Sequence, residues 1–226
     1  MNKMLLAGAI LCCAFAVQAQ VKMPQPSPLQ TVTQDFGIGK MEISYSRPAV
    51  KGRKIFGDLV PFDKMWRTGA NAAPSLRITE PVMIMGNRLD TGTYSVYTIP
   101  GKKNWEIIIN KGTGNWGLDG YKKEEDVFRV TVPSQKSKSF TESFTISFAD
   151  VKPESCTMLF AWENTEVPVS VTANFRDKLR TQIEEALKKE DKKPYWGAAQ
   201  FYNEYDKDYS KALENAQKAC EANAKA

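Results

Sequence analysis

The chain has 226 residues, 42% of them apolar, with 31 Lys and Arg against 26 Asp and Glu. A formal charge of +5 is too weak at this length to argue for a nucleic-acid partner. Histidine is absent, which excludes a Ser-His-Asp triad, a Cys-His dyad and any His-containing metal site but leaves carboxylate chemistry open.

Residues 1–19 read as a signal peptide. Lys3 supplies the positive start, Met4 to Val17 the apolar stretch, and Val17-Gln18-Ala19 a cleavage site before Gln20. Cys12 and Cys13 lack the small preceding residue that a lipoprotein site requires, so no lipid anchor is expected. The chain is therefore expected in the periplasm or outside the cell. No other apolar run approaches the ~18 residues of a membrane span. The remaining length, about 207 residues, suits one domain or a domain with an appendage.

Residues 20–27 form a Pro-rich leader that includes Pro24 and Pro26. From there to residue 173 the pattern is short strands with turn punctuation. Thr31 to Phe36 and Lys40 to Ser46 come first, split by Gly37 and Gly39. Met41, Ile43 and Tyr45 alternate with Glu42, Ser44 and Ser46, one apolar face against one polar face. Ser75 to Thr79 and Val82 to Met85 follow, then a Gly86-Asn87-Arg88 turn. Tyr94 to Ile99 ends at Pro100-Gly101, and Trp105 to Asn110 runs into a glycine-rich loop around Trp116. Val127 to Val132, Phe144 to Phe148, Cys156 to Trp162 and Val167 to Val171 complete the set. About ten strands without intervening helices predict an antiparallel β-sandwich over residues 28–173. Cys156 falls on an apolar strand face and Cys220 far away, so the reading favours two unpaired thiols while leaving a bridge open.

The pattern then changes. Phe175, Leu179, Ile183 and Leu187 recur every fourth residue on a charged background, which predicts an amphipathic helix. Lys188 to Lys193 reads as a charged hinge before Pro194. Tyr195 to Tyr205 and Tyr209 to Ala222 read as two more helices, so residues 176–226 form a three-helix appendage. Its aromatic residues Tyr195, Trp196, Phe201, Tyr202 and Tyr205 read as core before binding surface.

Tyr45 to Asn71 is the stretch whose residue choice exceeds what folding asks. Arg47, Lys51, Arg53, Lys54 and Arg67 face only Asp58 and Asp63 in a loop-rich segment. Loops on a rigid sheet commonly carry binding groups, and Arg offers a planar fork of donors for carboxylate or phosphate. Trp66-Arg67-Thr68-Gly69-Ala70-Asn71 places an aromatic, a cation, a permissive glycine and an amide in succession. The candidate ligand-binding residues are thus Arg47, Lys51, Arg53, Trp66, Arg67 and Asn71, with Trp116 as an alternative stacking platform. The same residues also fit a structural reading of strand-end ion pairs, a solvated turn and a core Trp, because ion-pair networks imitate sites.

The motifs Ser46-Arg47-Pro48, Lys51-Gly52-Arg53, Ile55-Phe56-Gly57, Leu59-Val60-Pro61, Trp66 to Asn71, Gly92-Thr93-Tyr94-Ser95 and Thr98 to Gly101 are long and specific. In these, and in Trp105 and Trp116-Gly117, the chain resembles the bacterial domain-of-unknown-function family 2911 from about Pro28 to Ala173. The resemblance implies a secreted or envelope protein of Gram-negative bacteria and supplies no catalytic residues. An acid is expected after the Asn of the Trp-Arg-Thr-Gly-Ala-Asn motif, and Ala72 stands there instead. Residues 195–222 are similar to a tetratricopeptide hairpin at Trp196, Tyr209, Ala212 and Ala219, and depart from it at Gln200, Asn203 and Ala216. One such repeat cannot bury its own faces, so it must pack on the preceding helix, the β-region or a partner.

Three functions compete. A non-catalytic module binding an anionic or glycan ligand through residues 47–71 is favoured. A protein-interaction or assembly role through the helical hairpin, with an envelope protein as partner, is the alternative. A carboxylate-dependent hydrolase ranks last, because Asp58, Asp63, Asp90 and Asp119 show no diagnostic spacing. No cofactor or metal is expected.

Overall fold

The computed structural model of the chain describes residues 23–189 and 192–224. The segment read as a signal peptide lies outside the described residues.

Ten strands form two antiparallel sheets, followed by three helices, as the alternation and the spacing-of-four pattern predict. The strands are β1 (Leu29–Phe36), β2 (Gly39–Ser46), β3 (Ala70–Ile78), β4 (Val82–Ile84), β5 (Asn87–Leu89), β6 (Gly92–Pro100), β7 (Asn104–Asn110), β8 (Asp126–Pro133), β9 (Gln135–Ala149) and β10 (Ser155–Thr172). One sheet runs β1-β2-β3-β6-β7-β8 and the other β5-β4-β10-β9.

Several assignments differ from the sequence reading: β3 begins at Ala70, before the run at Ser75, and β9 begins at Gln135, well before the run at Phe144. The Gly86-Asn87-Arg88 turn is tighter than expected, and Asn87 and Arg88 already belong to the short β5 paired with β4. The two apolar runs at 156–162 and 167–171 are joined in one extended stretch of 18 residues, β10, that doubles back on itself: the Ala173 N–H, just past its end, donates to the Glu154 carbonyl, just before its start, at 3.0 Å. The charged middle of β10 is the reversal between the two arms, with Glu163 at φ 52° and an irregular, bulged pairing with β9 between Ala161 and Thr165.

The sandwich core comes from the inward residues of both sheets. Met41, Ile43, Tyr45, Leu76, Ile107 and Ile109 face Phe144, Ile146, Met158, Phe160, Val167 and Val169, all nearly inaccessible. Burying side chains of this size stabilises by roughly 1.5–3 kcal/mol each. The Tyr45 hydroxyl crosses the core to the second sheet, accepting a hydrogen bond from the Ile146 N–H at 2.7 Å. Burial pushes its phenol above the ordinary value of 10.0.

The antiparallel registers define two ends. At one end lie the residues before β1, the loop 47–69, the β6–β7 turn, the β8–β9 turn and the β10 bulge. At the other lie the β1–β2 turn, the β9–β10 turn and helix α1 (Arg176–Lys188). Helix α2 (Tyr195–Phe201) runs into a π-helical turn at Tyr202–Asp206, and α3 (Tyr209–Ala224) returns along it. Asp208 caps α3 by accepting the Lys211 N–H at 3.1 Å.

The helices bury a small core of their own, with Ile183 from α1 meeting Ala198, Phe201, Tyr202 and Ala212. The hairpin therefore packs on α1. Of the aromatic group read as core, Phe201 and Tyr202 are buried, whereas Trp196 is 63% exposed. Ion pairs join the helices to the sandwich: Lys178 reaches Glu80 at 2.6 Å and Arg176 reaches Glu154 at 2.5 Å. No described helix is long and apolar enough to cross a membrane.

Candidate functional site

The loop between β2 and β3 is held by aromatic packing. Trp66 exchanges two backbone hydrogen bonds with Thr98 of β6, at 2.7 and 3.0 Å, so the loop acts as an extra strand there. Its indole lies flat against Trp162 of β10, with centroids 5.7 Å apart and planes 14° apart. Phe56, Trp105 and Phe144 meet Trp66 edge-on at 5.1 to 6.3 Å. Such pairs add about 0.5–1.5 kcal/mol each beyond area burial.

The backbone after Trp66 is strained. Thr68 is fully buried and sits at φ 60°, a region that β-branched residues seldom enter. Its hydroxyl lies 3.1 Å from that of Thr98, which holds it there. Gly69 follows at φ 145°, and a Cβ there would stand 2.9 Å from the Ser46 carbonyl oxygen. Asn71 is at φ 61°. Strain of this kind costs of order 1–3 kcal/mol per residue and persists where the surroundings impose it, often at functional sites.

Beside this loop is a cleft of about 350 Å³. Pro48, Leu59, Val60, Trp66 and Trp162 form its apolar wall, and Lys51, Arg53 and Arg67 supply charge. Pro26 and Ser27 of the leader close one side. No Asp or Glu lines it. Glu142 and Glu163 approach from behind, but they accept the backbone N–H groups of Lys51 and Ile55. Among the described residues none of the three cations takes part in an ion pair.

Arg67 is the most unusual of them. Its Nε is shielded from solvent and has no hydrogen-bond partner. A buried unpaired donor costs about 1–3 kcal/mol, and native structures hold few of them. Gly117 packs on the other side of the guanidinium, where an added Cβ would lie 3.7 Å from a terminal nitrogen. Arg53 is half committed: its Nε donates to the Val50 carbonyl at 3.0 Å and a terminal nitrogen to that of Ala49 at 2.6 Å. Lys51, at φ 49°, leaves its ammonium exposed.

Four of the six sequence candidates, Lys51, Arg53, Trp66 and Arg67, thus meet around one cleft. The other two do not line it. Arg47 turns into the sandwich, where its Nε donates to the Phe144 carbonyl at 3.0 Å and a terminal nitrogen to Thr145 Oγ1 at 2.7 Å. It ties β2 to β9. The Asn71 side-chain amide donates to Ser46 Oγ at 3.1 Å, and the Asn71 backbone carbonyl accepts the Gly117 N–H at 2.9 Å, which fixes the glycine-rich loop. Trp116 is 65% exposed but lies on that loop, outside the cleft lining. Ala72, where an acid was expected, pairs through its backbone with Trp116.

The sequence reading missed Trp162, Leu59, Val60 and the leader residues as cleft walls. Trp162 stands in an alternating apolar strand, so nothing local distinguishes its ring from ordinary core. Near the glycine-rich loop a polar cluster is structural: Asp126 receives Arg129 at 2.8 Å and the Tyr121 hydroxyl at 2.9 Å, and Asn110 donates to it at 2.8 Å. Burial, then Asp126, push the Tyr121 phenol above its ordinary value. Among the described residues no group of three or more Cys, Asp and Glu side chains stands where it could hold a metal ion.

Fold and site together define a two-sheet sandwich with a cation-lined cleft at one end and three helices at the other. The chain belongs to the family described as "Protein of unknown function (DUF2911)", which matches residues 27–171. No curated protein and no solved structure matches it.

Proposed function

We propose that the chain is a non-catalytic binding module that takes an anionic ligand, free or carried on a glycan, in the cleft between loop 47–69 and the β10 bulge. The observation that carries this reading is Arg67, a partly buried guanidinium with an unpaired Nε on a strained loop, in a cleft with two further cations and no carboxylate. Charge-assisted hydrogen bonds to an anion are about twice as strong as neutral ones, and they gain strength where water is excluded. Leu59 and the half-buried Trp66 give the ligand body an apolar contact, backed by the buried Trp162. Residues 1–19 would export the protein, and the ligand would be met in the envelope or outside it. The two-part division at residues 173–176 belongs to the same reading.

A thermal-shift screen of the chain from Gln20 onward, against galacturonate, citrate, inorganic phosphate and neutral sugars, tests it. A ligand at 100 times its Kd stabilises by about 2.7 kcal/mol. Wild type is expected to shift with at least one anion, and Arg67→Ala is not. If no anion shifts the wild type, the reading is wrong.

The helical reading has its own observation. Trp196, Tyr209 and Leu213 are 63, 64 and 62% exposed along one groove of α2 and α3, at the opposite end from the cleft. Leu213→Asp would abolish capture of an envelope protein under this reading and leave cleft binding unchanged. The hydrolase reading needs two acids in one cleft, and the lining of this one provides none.

A further inference from the structure

A second cleft, of about 320 Å³, opens at the same end of the sandwich as the first. Its walls come from the β6–β7 turn, the start of β9 and the β10 bulge, with Phe56 and Phe62 from the loop between. The segment Ile55 to Phe62 is the ridge that separates the two. Leu59 and Val60 face the first cleft, and Phe56 and Phe62 face the second.

The two clefts share one aromatic wall. Trp66 and Trp162 line the first, Phe56 and Trp105 line the second, and these rings interlock with centroids 5.0 to 6.1 Å apart in the pairs Phe56–Trp105, Trp66–Trp105 and Phe56–Trp162. Phe56, Trp105 and Trp162 are 8, 2 and 2% exposed, so this wall is a rigid backing beneath the ridge. Leu59, 46% exposed, is an apolar contact on that ridge.

The charge pattern repeats. Lys102 and Lys136 line the second cleft, and no acid does. Neither lysine joins an ion pair among the described residues. Beside them stand Ser134, Gln135, Asn164 and Thr165, neutral groups that both donate and accept hydrogen bonds. Such groups outnumber the cations two to one. That balance suits a chain with several hydroxyls for each charge, which an acidic polysaccharide has and an acidic peptide or a polyphosphate lacks.

We infer that the ligand is an extended acidic polysaccharide lying across both clefts, with one acidic sugar held by Arg67, Lys51 and Arg53 and another by Lys102 and Lys136. This rests on the binding reading of the first cleft and adds its substrate class. Two linked contacts act at high effective concentration, so affinity must rise with chain length.

The test is a binding titration of the chain from Gln20 onward with galacturonate monomer, dimer and hexamer, alongside the neutral galactose hexamer and polyglutamate of similar length. Lys102→Ala/Lys136→Ala and Arg67→Ala run in parallel, and both exposed lysines are expected to be replaced without loss of fold. The expected result is a gain of about tenfold or more from monomer to hexamer. The double lysine variant should lose that gain and keep the monomer affinity, Arg67→Ala should lose both, and the neutral hexamer should not bind. Equal affinity for monomer and hexamer would overturn the two-cleft inference while leaving the first-cleft reading standing. No binding by any galacturonate would overturn the inference, and the anion screen above decides the first-cleft reading separately. Tighter binding of polyglutamate, lost in the lysine variant, would overturn the assignment to polysaccharide.

Discussion

Arg47 and Arg67 come from the same stretch of chain and do opposite things. Arg47 is fully engaged, with Nε and a terminal nitrogen donating to Phe144 and Thr145 on the facing sheet. Arg67 leaves its Nε shielded and unpaired beside a cleft. A variant of each therefore separates stability from binding. Arg47→Ala removes a clamp and strands the Phe144 carbonyl. It is expected to destabilise by about 1–3 kcal/mol with ligand affinity unchanged once the protein is folded. Arg67→Ala removes an unsatisfied donor and is expected to leave the denaturant midpoint unchanged or slightly raised, while anion binding weakens at least about tenfold, or about 1.4 kcal/mol. Urea unfolding and a titration on the same samples check both.

The Trp66–Trp162 stack joins the loop to the second sheet. Trp162 is 2% exposed, so Trp162→Ala opens a cavity in the shared aromatic wall and is expected to cost about 3–5 kcal/mol. Trp162→Phe should recover a large part of that. Thermal unfolding of the three proteins measures it, and a loss within error of zero for Trp162→Ala would contradict the packing described.

Two ion pairs shape the acid side of the stability profile, one within the helices and one that joins them to the β9–β10 turn. Arg180 holds the Asp206 carboxyl below its ordinary 3.8, chiefly by hydrogen bonding, and Arg176 holds Glu154 below 4.5 in the same way. Both folded values are depressed, so the contribution is present above the unfolded values and is lost as pH falls through the folded ones. Between pH 5 and 3 the melting temperature should fall. Asp206→Asn and Glu154→Gln should flatten that fall while lowering stability at pH 7, where the native carboxylates are charged. Both pairs are partly solvated, and 0.5 M salt should weaken the effect.

The two described cysteines differ in reactivity. Cys156 is buried on the inner face of β10, and burial pushes its thiol up to about 11. Cys220 is free and exposed on α3. At pH 8 a thiol reagent should label one cysteine of the chain from Gln20 onward quickly, and the second only on unfolding. Cys220→Ser should abolish the fast phase.

Much of the architecture was legible because its signals are local. Alternation in Met41, Ile43 and Tyr45 marks a half-buried strand whatever it packs against, and the fourfold spacing of Phe175, Leu179, Ile183 and Leu187 marks one helix face. The polar first half of β9, from Gln135, was not legible, because it has no apolar alternation and is held in the sheet by its pairing with β10. The site was legible in part. Arg53, Trp66 and Arg67 stood out as residue types beyond what folding asks, yet Arg47 and Asn71 looked the same and are spent on the scaffold.

By itself, the sequence determined most of the strand and helix inventory, the order of β-region and helical tail, and the stretch that carries charge and aromatic rings together. These follow from periodicity and residue type, which act over a few neighbours. The tertiary structure alone decided which cations are free. A guanidinium's partners are the carbonyls and hydroxyls that fold against it, and Phe144 and Thr145 lie nearly a hundred residues from Arg47. It alone decided also that Trp162 backs the cleft, and that cleft and helical groove stand at opposite ends, because strand register sets both positions and no single strand contains it.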